Sequence, residues 1–352
     1  MTKKTVKAID ALQDAQKIAF APFIFQTAVS LRKLGVFTHI FEKGKEGACI
    51  LTLSSELALS KYGLGVLLEI AESTGMVARN ENDNYELTKL GYFLNYDKTV
   101  EVNMNFTHDV CYKGLFHLTE AIKTGTPAGL KEFGDWNTIY EGLSQLDSQV
   151  QKSWFEFDHH YSDYVFSEAL EVVFRDKPSV IFDIGGNTGK FALQCVEYNE
   201  TVEVTIIDLP GQLDKAFSLI RDRGFTRRIS GLELNWLDDD PVIPGGADVI
   251  WMSQFLDCFS EEEILKILRV CVNAMDEHST LIINETYTDR QKFDNAKFVL
   301  EATSLYFTAM ANGNSKMYTS RELIALIESA GLKIVEDRKL GEFHTLFVCK
   351  KS

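Results

Sequence analysis

The chain has 352 residues, of which 45% are apolar and only 6 are prolines, as suits a globular protein of about two domains with a sizeable core. Its net charge of −15 speaks against a nucleic-acid partner and against an anionic membrane surface. Six cysteines, at positions 49, 111, 195, 258, 271 and 349, form no Cys-x-x-Cys pair and read as reduced thiols in a cytoplasmic protein, not as a disulfide frame or zinc site.

Residues 1–10 are polar and charged, unlike a signal peptide. No apolar run approaches the roughly 20 residues of a membrane span, so a soluble protein without a membrane partner is expected. Residues 15–34 read as a helix in which Ile18, Phe20, Ala21, Phe23, Ile24 and Phe25 are apolar on nearly every side, and Pro22 marks its start or a break. Such a helix needs burial all round, from its own domain or from a second copy of the chain, and the expectation is a homodimer. Residues 51–59 and 64–73 follow as helices, and 76–79 and 85–91 as short strands around the turn at 80–84. Helix, helix, hairpin is a winged-helix arrangement, which raises a DNA-binding regulator as an alternative class of function. The would-be recognition helix sets Lys61 against Glu69 and Glu72, too little positive charge to hold phosphates. Residues 1–105 are therefore read as a winged-helix packing and dimerisation domain.

Residues 106–175 read as a helical linker that contributes to the substrate pocket, with helices over 106–124, 139–147 and 149–174 and a turn at 125–129. The last of these carries Trp154, Phe155, Phe157, His159, His160 and Tyr161, a dense run of aromatic and imidazole side chains. Adjacent helical side chains diverge by about 100°, so only one of His159 and His160 is expected to face a site on that side. His108 and His117 read as surface or core residues.

From residue 176 the pattern changes to alternating strands and helices. A buried strand over 180–183 ends in Asp183; Gly185, Gly186 and Gly189 make a tight turn, and a helix opens at Phe191. Glycines there let backbone approach a ligand, because no Cβ stands in the way. A second apolar run, 202–208, ends in Asp208. Strand, glycine turn, helix, strand and acid, about 20 residues apart, describe a nucleotide site whose acid takes ribose hydroxyls. Asp183, just before the turn, would repel a phosphate and suits a cofactor with a positive amine and no phosphate, a description that S-adenosylmethionine fits. Strands over 230–234, 247–253 and 280–285, helices over 213–223, 261–275 and 319–330, and closing strands over 332–335 and 344–349 complete the half. Ser260 with Glu263, and Thr319 with Glu322, have capping-box spacing. The fold class is thus α/β, a mostly parallel sheet covered on both faces, with ligands at the carboxyl ends of its strands.

Together these motifs resemble the two-domain O-methyltransferases that use S-adenosylmethionine, the type of plant caffeate and flavonoid enzymes and of bacterial antibiotic tailoring enzymes. The resemblance spans nearly the whole chain and implies a class I methyltransferase, Rossmann-like catalytic domain over 176–352. Residues 183–189 match the family's glycine motif, with Asn187 where a third glycine is usual, and 207–210 match the ribose-binding acid with Leu209 beside it. Asn235 and Trp236 fall where an Asp usually meets the adenine amine, and the Asn235 side-chain oxygen could accept that bond. Ser253 opens the segment that carries the catalytic base in phenol-methylating members.

At that base this chain departs from the pattern. Such members carry His-Asp, and the aligned pair here is Asp257-Cys258; Met317 stands in for one supporting Glu, while Glu285 matches the other. A phenol of pKa about 10 must lose its proton, a task that suits an imidazole at about 6.5 and suits an unperturbed Asp at about 3.9 poorly. Burial near Phe255 could raise Asp257 and improve the match. Asp257 could instead be structural, favoured by the N-terminus of the next helix, or could position the substrate, with His159 or His160 as base. Trp154, Tyr161, Phe255 and Met317 are the candidate substrate contacts. Alternatives within the family are methylation of a phenol ring carbon and a non-methylating member; the alternative outside it is a winged-helix regulator with a vestigial cofactor site. No metal site is visible.

Overall fold

The computed structural model describes residues 7–352, so residues 1–6 of the polar opening lie outside the described residues. The chain forms two compact units, one up to His108 and one from Asp109 onward.

The first unit is helical. Its elements are α1 (Ala8–Ala19), α2 (Ala21–Lys33), α3 (Val36–Glu42), α4 (Ile50–Glu56), α5 (Lys61–Ser73), the hairpin β1 (Val77–Arg79) and β2 (Tyr85–Leu87), α6 (Lys89–Tyr96) and α7 (Lys98–Asn105). The expected helix over 15–34 is two helices that meet at Phe20, where Pro22 in the first turn of α2 cannot continue the hydrogen bonding of α1. Leu31, Val36, Phe37, Leu53, Leu64 and Leu68 make its core. The expected strand over 85–91 stops at Leu87, because the Thr88 hydroxyl accepts the Gly91 N–H at 3.2 Å and starts α6. Burial is not all round in this chain: Ile18 is 77% and Phe23 is 65% exposed.

The second unit opens with α8 (Leu118–Thr124), α9 (Ile139–Gly142), α10 (Ser148–Ser162) and α11 (Phe166–Val173). These helices are shorter than the sequence suggested. A π turn (Phe106–Cys111) and a 3₁₀ turn (Gly114–His117) interrupt 106–124, and a Cβ at Gly114 would collide with the Met310 sulfur, so the chain is bent to fit that packing. The span 139–147 keeps only one helical turn. The span 149–174 breaks at a 3₁₀ turn (Asp163–Val165), where the Asp163 carboxylate is drawn to Lys190 and His159.

Then follow β3 (Val180–Ile184), α12 (Lys190–Tyr198), β4 (Glu203–Asp208), α13 (Pro210–Arg223), β5 (Ile229–Glu233), β6 (Val249–Ser253), α14 (Glu261–Ala274), β7 (Thr280–Thr286), α15 (Asp294–Tyr306), α16 (Ser320–Ser329), β8 (Leu332–Leu340) and β9 (His344–Lys351). The sheet order is β5-β4-β3-β6-β7-β9-β8, parallel from β5 through β7, with β9 antiparallel to both its neighbours. Helix α15 was not anticipated, and β8 runs beyond the expected 332–335. Alternate residues feed two cores: Ile181, Val204, Trp251 and Ile282 face one, Phe182, Ile207, Ile250 and Ile283 the other. The sheet therefore presents the carboxyl ends of β3, β4, β6 and β7 along one edge.

Both capping boxes form. The Glu263 carboxylate accepts the Ser260 N–H at 2.7 Å, and the Ser260 hydroxyl accepts the Glu263 N–H at 3.4 Å. Ser260→Ala is expected to lower stability by about 1 kcal/mol, seen as a lower urea midpoint.

Candidate active site

Strand β3 delivers Asp183 to the sheet edge, and the chain then turns sharply. Gly185 has φ +67°, and a Cβ there would strike the Phe255 ring; a Cβ on Gly186 would lie 2.6 Å from Asp183 Oδ2. Asn187 takes φ +50°, the left-handed region that Asn tolerates better than most residues, so the missing third glycine is replaced without breaking the turn. Gly189 caps α12 in the same region.

The turn is fastened from two sides. Asp208 accepts the Asn187 N–H at 2.8 Å through Oδ2 and the Leu209 N–H at 2.7 Å through Oδ1. From α10, Asp158 accepts a 2.9 Å bond from Asn187 Nδ2, and His159 Nε2 lies 3.3 Å from the Thr188 hydroxyl. His159 Nδ1 is 3.2 Å from Asp163, whose other oxygen holds Lys190 at 2.5 Å. His159 is thus bonded on both nitrogens and stacked on Phe155, while His160 and Tyr161 meet each other edge to face. Trp154 lies on the same helix face as Asp158 and donates its indole N–H to the Tyr306 hydroxyl at 2.7 Å.

At the far end of β6, Gln254 adopts φ +47° and aims the following residues back over the glycine turn. Glu285, at the end of β7, accepts the N–H groups of Phe255 and Leu256 at 3.0 and 2.9 Å and so fixes that loop. Asp257 is 7% exposed and accepts a weak bond from the Cys258 thiol at 3.5 Å. Ser253 accepts from Asn284 Nδ2 at 2.9 Å, and Met317 is buried, its N–H donated to Ser304. Asn235 spends one lone pair on the Leu237 N–H at 3.1 Å, and Trp236 is buried with its indole N–H unpaired among the described residues.

Electrostatics links these groups. Burial, then the Asp208 charge, pushes Asp183 up to about 7. Burial raises Asp208 to about 6, against the pull of its two backbone N–H donors. Burial also raises Asp257 and Glu285; the Asp158 charge adds to the rise of Asp257, and the Asp257 charge to that of Glu285. Asp158, Asp208 and Cys258 are half-buried, and burial is the leading cause of the upward shift of each. Asp158, Tyr140 and Tyr306 were not singled out from the sequence. The signal for Asp158 was its place four residues after Trp154 on α10; Tyr140, whose hydroxyl faces Cys258, gave none.

A family model described as an O-methyltransferase domain matches residues 115–333, more than half of the chain. The chain belongs to this O-methyltransferase family. A second model, a Dimerisation2-like domain, matches residues 13–85. The L-tyrosine C(3)-methyltransferase of Streptomyces lavendulae is 24% identical over 306 residues, 86% of this chain and 81% of that protein. The 3-hydroxy-5-methyl-1-naphthoate 3-O-methyltransferase of Streptomyces sahachiroi is 24% identical over 62% of this chain and 60% of that protein. In fold, the chain matches a neocarzinostatin-biosynthesis O-methyltransferase solved with S-adenosyl-L-homocysteine and 1,4-dihydroxy-2-naphthoic acid, with a TM-score of 0.70 and 19% identity over 93% of this chain and 96% of that one.

The family's cofactor is S-adenosylmethionine, and the residues present fit it. Asp183 is 2% exposed and its Oδ2 has no hydrogen-bond partner among the described residues, an orphaned acceptor beside a turn that leaves room only for backbone. The acids at the sheet edge suit a cationic ligand. Among the described residues, no group of three or more His, Cys, Asp or Glu side chains is placed to hold a metal ion.

Folding favours the neutral form of Asp183, so its contribution to stability is whole below the unfolded-chain value of about 3.9 and is lost as pH rises through about 7. Asp183→Asn, neutral throughout, is expected to be more stable than the unliganded native protein at pH 8 by on the order of 2–4 kcal/mol, with the gap closing toward pH 4 in thermal melts.

Proposed function

We propose that this chain methylates a small hydroxylated aromatic molecule at oxygen, with Asp257 taking the acceptor's proton. The observation that carries the reading is the buried acid pair Asp257 and Glu285 at the ends of β6 and β7, next to the glycine turn. S-adenosylmethionine, when bound, supplies an electrophilic methyl group. Asp183, the turn 185–189, Asp208 and Leu209 would hold it, with Asn235, Trp236 and Ser253 along its flank. Burial lifts the Asp257 carboxyl toward neutrality, which makes it a better proton acceptor than an exposed Asp. Glu285 spends its bonded oxygen on the loop backbone and so positions Asp257. His159, bonded on both nitrogens, acts as a positioning residue that clasps α10 to the glycine turn. Trp154, Tyr306 and Phe255 offer flat walls, and holding acceptor and methyl group in line can contribute up to roughly 7–11 kcal/mol.

Methylation of a ring carbon beside the hydroxyl would use the same groups, and the name of the Streptomyces lavendulae relative favours keeping it as a second reading. The Dimerisation2-like match, together with exposed Ile18, Phe20 and Phe23, supports a homodimer built on the first unit. Its two helices and hairpin are read as a winged-helix packing domain, since α5 offers Lys61 against Glu69 and Glu72. Free cysteines suit a cytoplasmic enzyme. No helix among the described residues is long and apolar enough to cross a membrane.

Calorimetric titration should give micromolar binding of S-adenosylhomocysteine and none of NAD; the reverse would sink the methyltransferase reading. Asp257→Asn is expected to cut kcat/KM about 10²–10⁴-fold while leaving S-adenosylhomocysteine affinity in place. Light scattering should report a dimer whose mass halves on Phe23→Asp.

A further inference from the structure

Helix α10 lies against the cofactor turn but is loosely seated. Three of its fifteen residues, Ser153, Trp154 and Ser162, are buried, against five of the eight in α11, which follows it after the 3₁₀ turn at Asp163–Val165. An element with so little apolar burial opens at low cost, while one packed like α11 stays in place. The irregular turn between them is therefore where α10 can pivot.

The second half of α10 is held down by polar contacts, and they reach the cofactor turn and the helices beside it. Asn187 Nδ2 donates to Asp158 at 2.9 Å, His159 Nε2 meets the Thr188 hydroxyl at 3.3 Å, and Asp163 accepts from the Lys190 ammonium at 2.5 Å. The Lys215 ammonium, on α13, lies 4.3 Å from the centre of the Phe155 ring. The first of these bonds exists because the chain carries Asn where a third glycine is usual in the family. Asn187 keeps the left-handed backbone of a glycine, φ +50°, and adds the side chain that reaches α10. The ligand-binding atoms of the same turn are sealed. Asp183 Oδ2, Asn187 Oδ1 and the Trp236 indole N–H are shielded from solvent and have no hydrogen-bond partner among the described residues. A cofactor that is to meet these atoms enters only after an element of the fold moves aside.

We propose that α10 is a gate on the cofactor site, pivoting at residues 163–165, and that the bond from Asn187 to Asp158 is its latch. The inference rests on the assignment of the cofactor to the turn at 185–189, and adds how the cofactor enters and leaves. The latch joins two protein groups, so weakening it favours the open gate with and without cofactor alike. Entry and release then quicken together, whereas loss of a direct cofactor contact quickens release alone.

The test is the kinetics of S-adenosylhomocysteine on the immobilised full chain, followed by surface plasmon resonance. Asp158→Ala should raise the association and dissociation rate constants about tenfold each, the size of one charge-assisted hydrogen bond, and change Kd less than either. Asp158→Asn removes the charge but keeps an acceptor oxygen for Asn187, and should stay within about threefold of the native rates. Asn187→Gly serves if Asp158→Ala does not fold, since glycine suits the turn; its release should quicken likewise, and the double variant should be no faster than either single one. Hydrogen exchange gives a second readout: residues 148–162 should exchange faster in Asp158→Ala than in the native chain, with 166–173 unchanged. Unchanged rates, a rise in release alone for Asp158→Ala, or equal exchange over 148–162 would overturn the proposal. Absence of S-adenosylhomocysteine binding to the native chain would count against the cofactor assignment alone. Exchange in the unliganded proteins would then still read the latch.

Discussion

Four carboxylates arrive at one edge of a parallel sheet because four adjacent strands end there: Asp183 on β3, Asp208 on β4, Asp257 in the loop after β6 and Glu285 on β7. Parallel pairing puts all their carboxyl ends on one side, and helices packed on both faces remove water from around them. The resulting self-repulsion is a standing cost to the unliganded fold. It is kept within bounds by backbone: Asp208 spends its oxygens on two N–H groups, and so does one oxygen of Glu285. The oxygens left over, on Asp183 and Glu285, are those a ligand would satisfy.

The surrounding structure serves this edge. Helix α10 brings Asp158 against Asn187 and stops at Asp163, where a carboxylate shared by His159 and Lys190 ends the regular helix and ties it to the start of α12. The loop after β6 is bent by a residue with positive φ, Gln254, and is fixed by Glu285; without that strain Phe255 would not lie over Gly185, nor Asp257 in the cleft. Asp257 adds a further carboxylate to that edge, where burial and then its charge raise Glu285.

Much of this was readable in the chain. Alternating strands and helices, two capping boxes and the matched acids Asp183 and Asp208 declared the α/β half, since strand ends and helix starts are local features written in neighbouring residues. The irregular stretches were misread where distant contacts overrule local propensity. Examples are Gly114 bent against Met310, the chain around Ile139 held to one helical turn, and α10 broken at Asp163. Helix α15 has too weak an apolar stripe to announce itself, with one fully buried residue, Tyr306.

By itself the sequence determined the family, the cofactor class and the presence of an acid where a base was expected, because these follow from residue type at fixed spacing along the chain. Only the tertiary structure decided which side chains meet. It turned His159 toward Thr188 and Asp163, set Asp158 against Asn187 of the glycine turn, and brought Tyr140 and Tyr306 beside Cys258 and Trp154. Those encounters join residues far apart in the chain, and local pattern carries no record of them; they are set by how helices pack over the sheet edge.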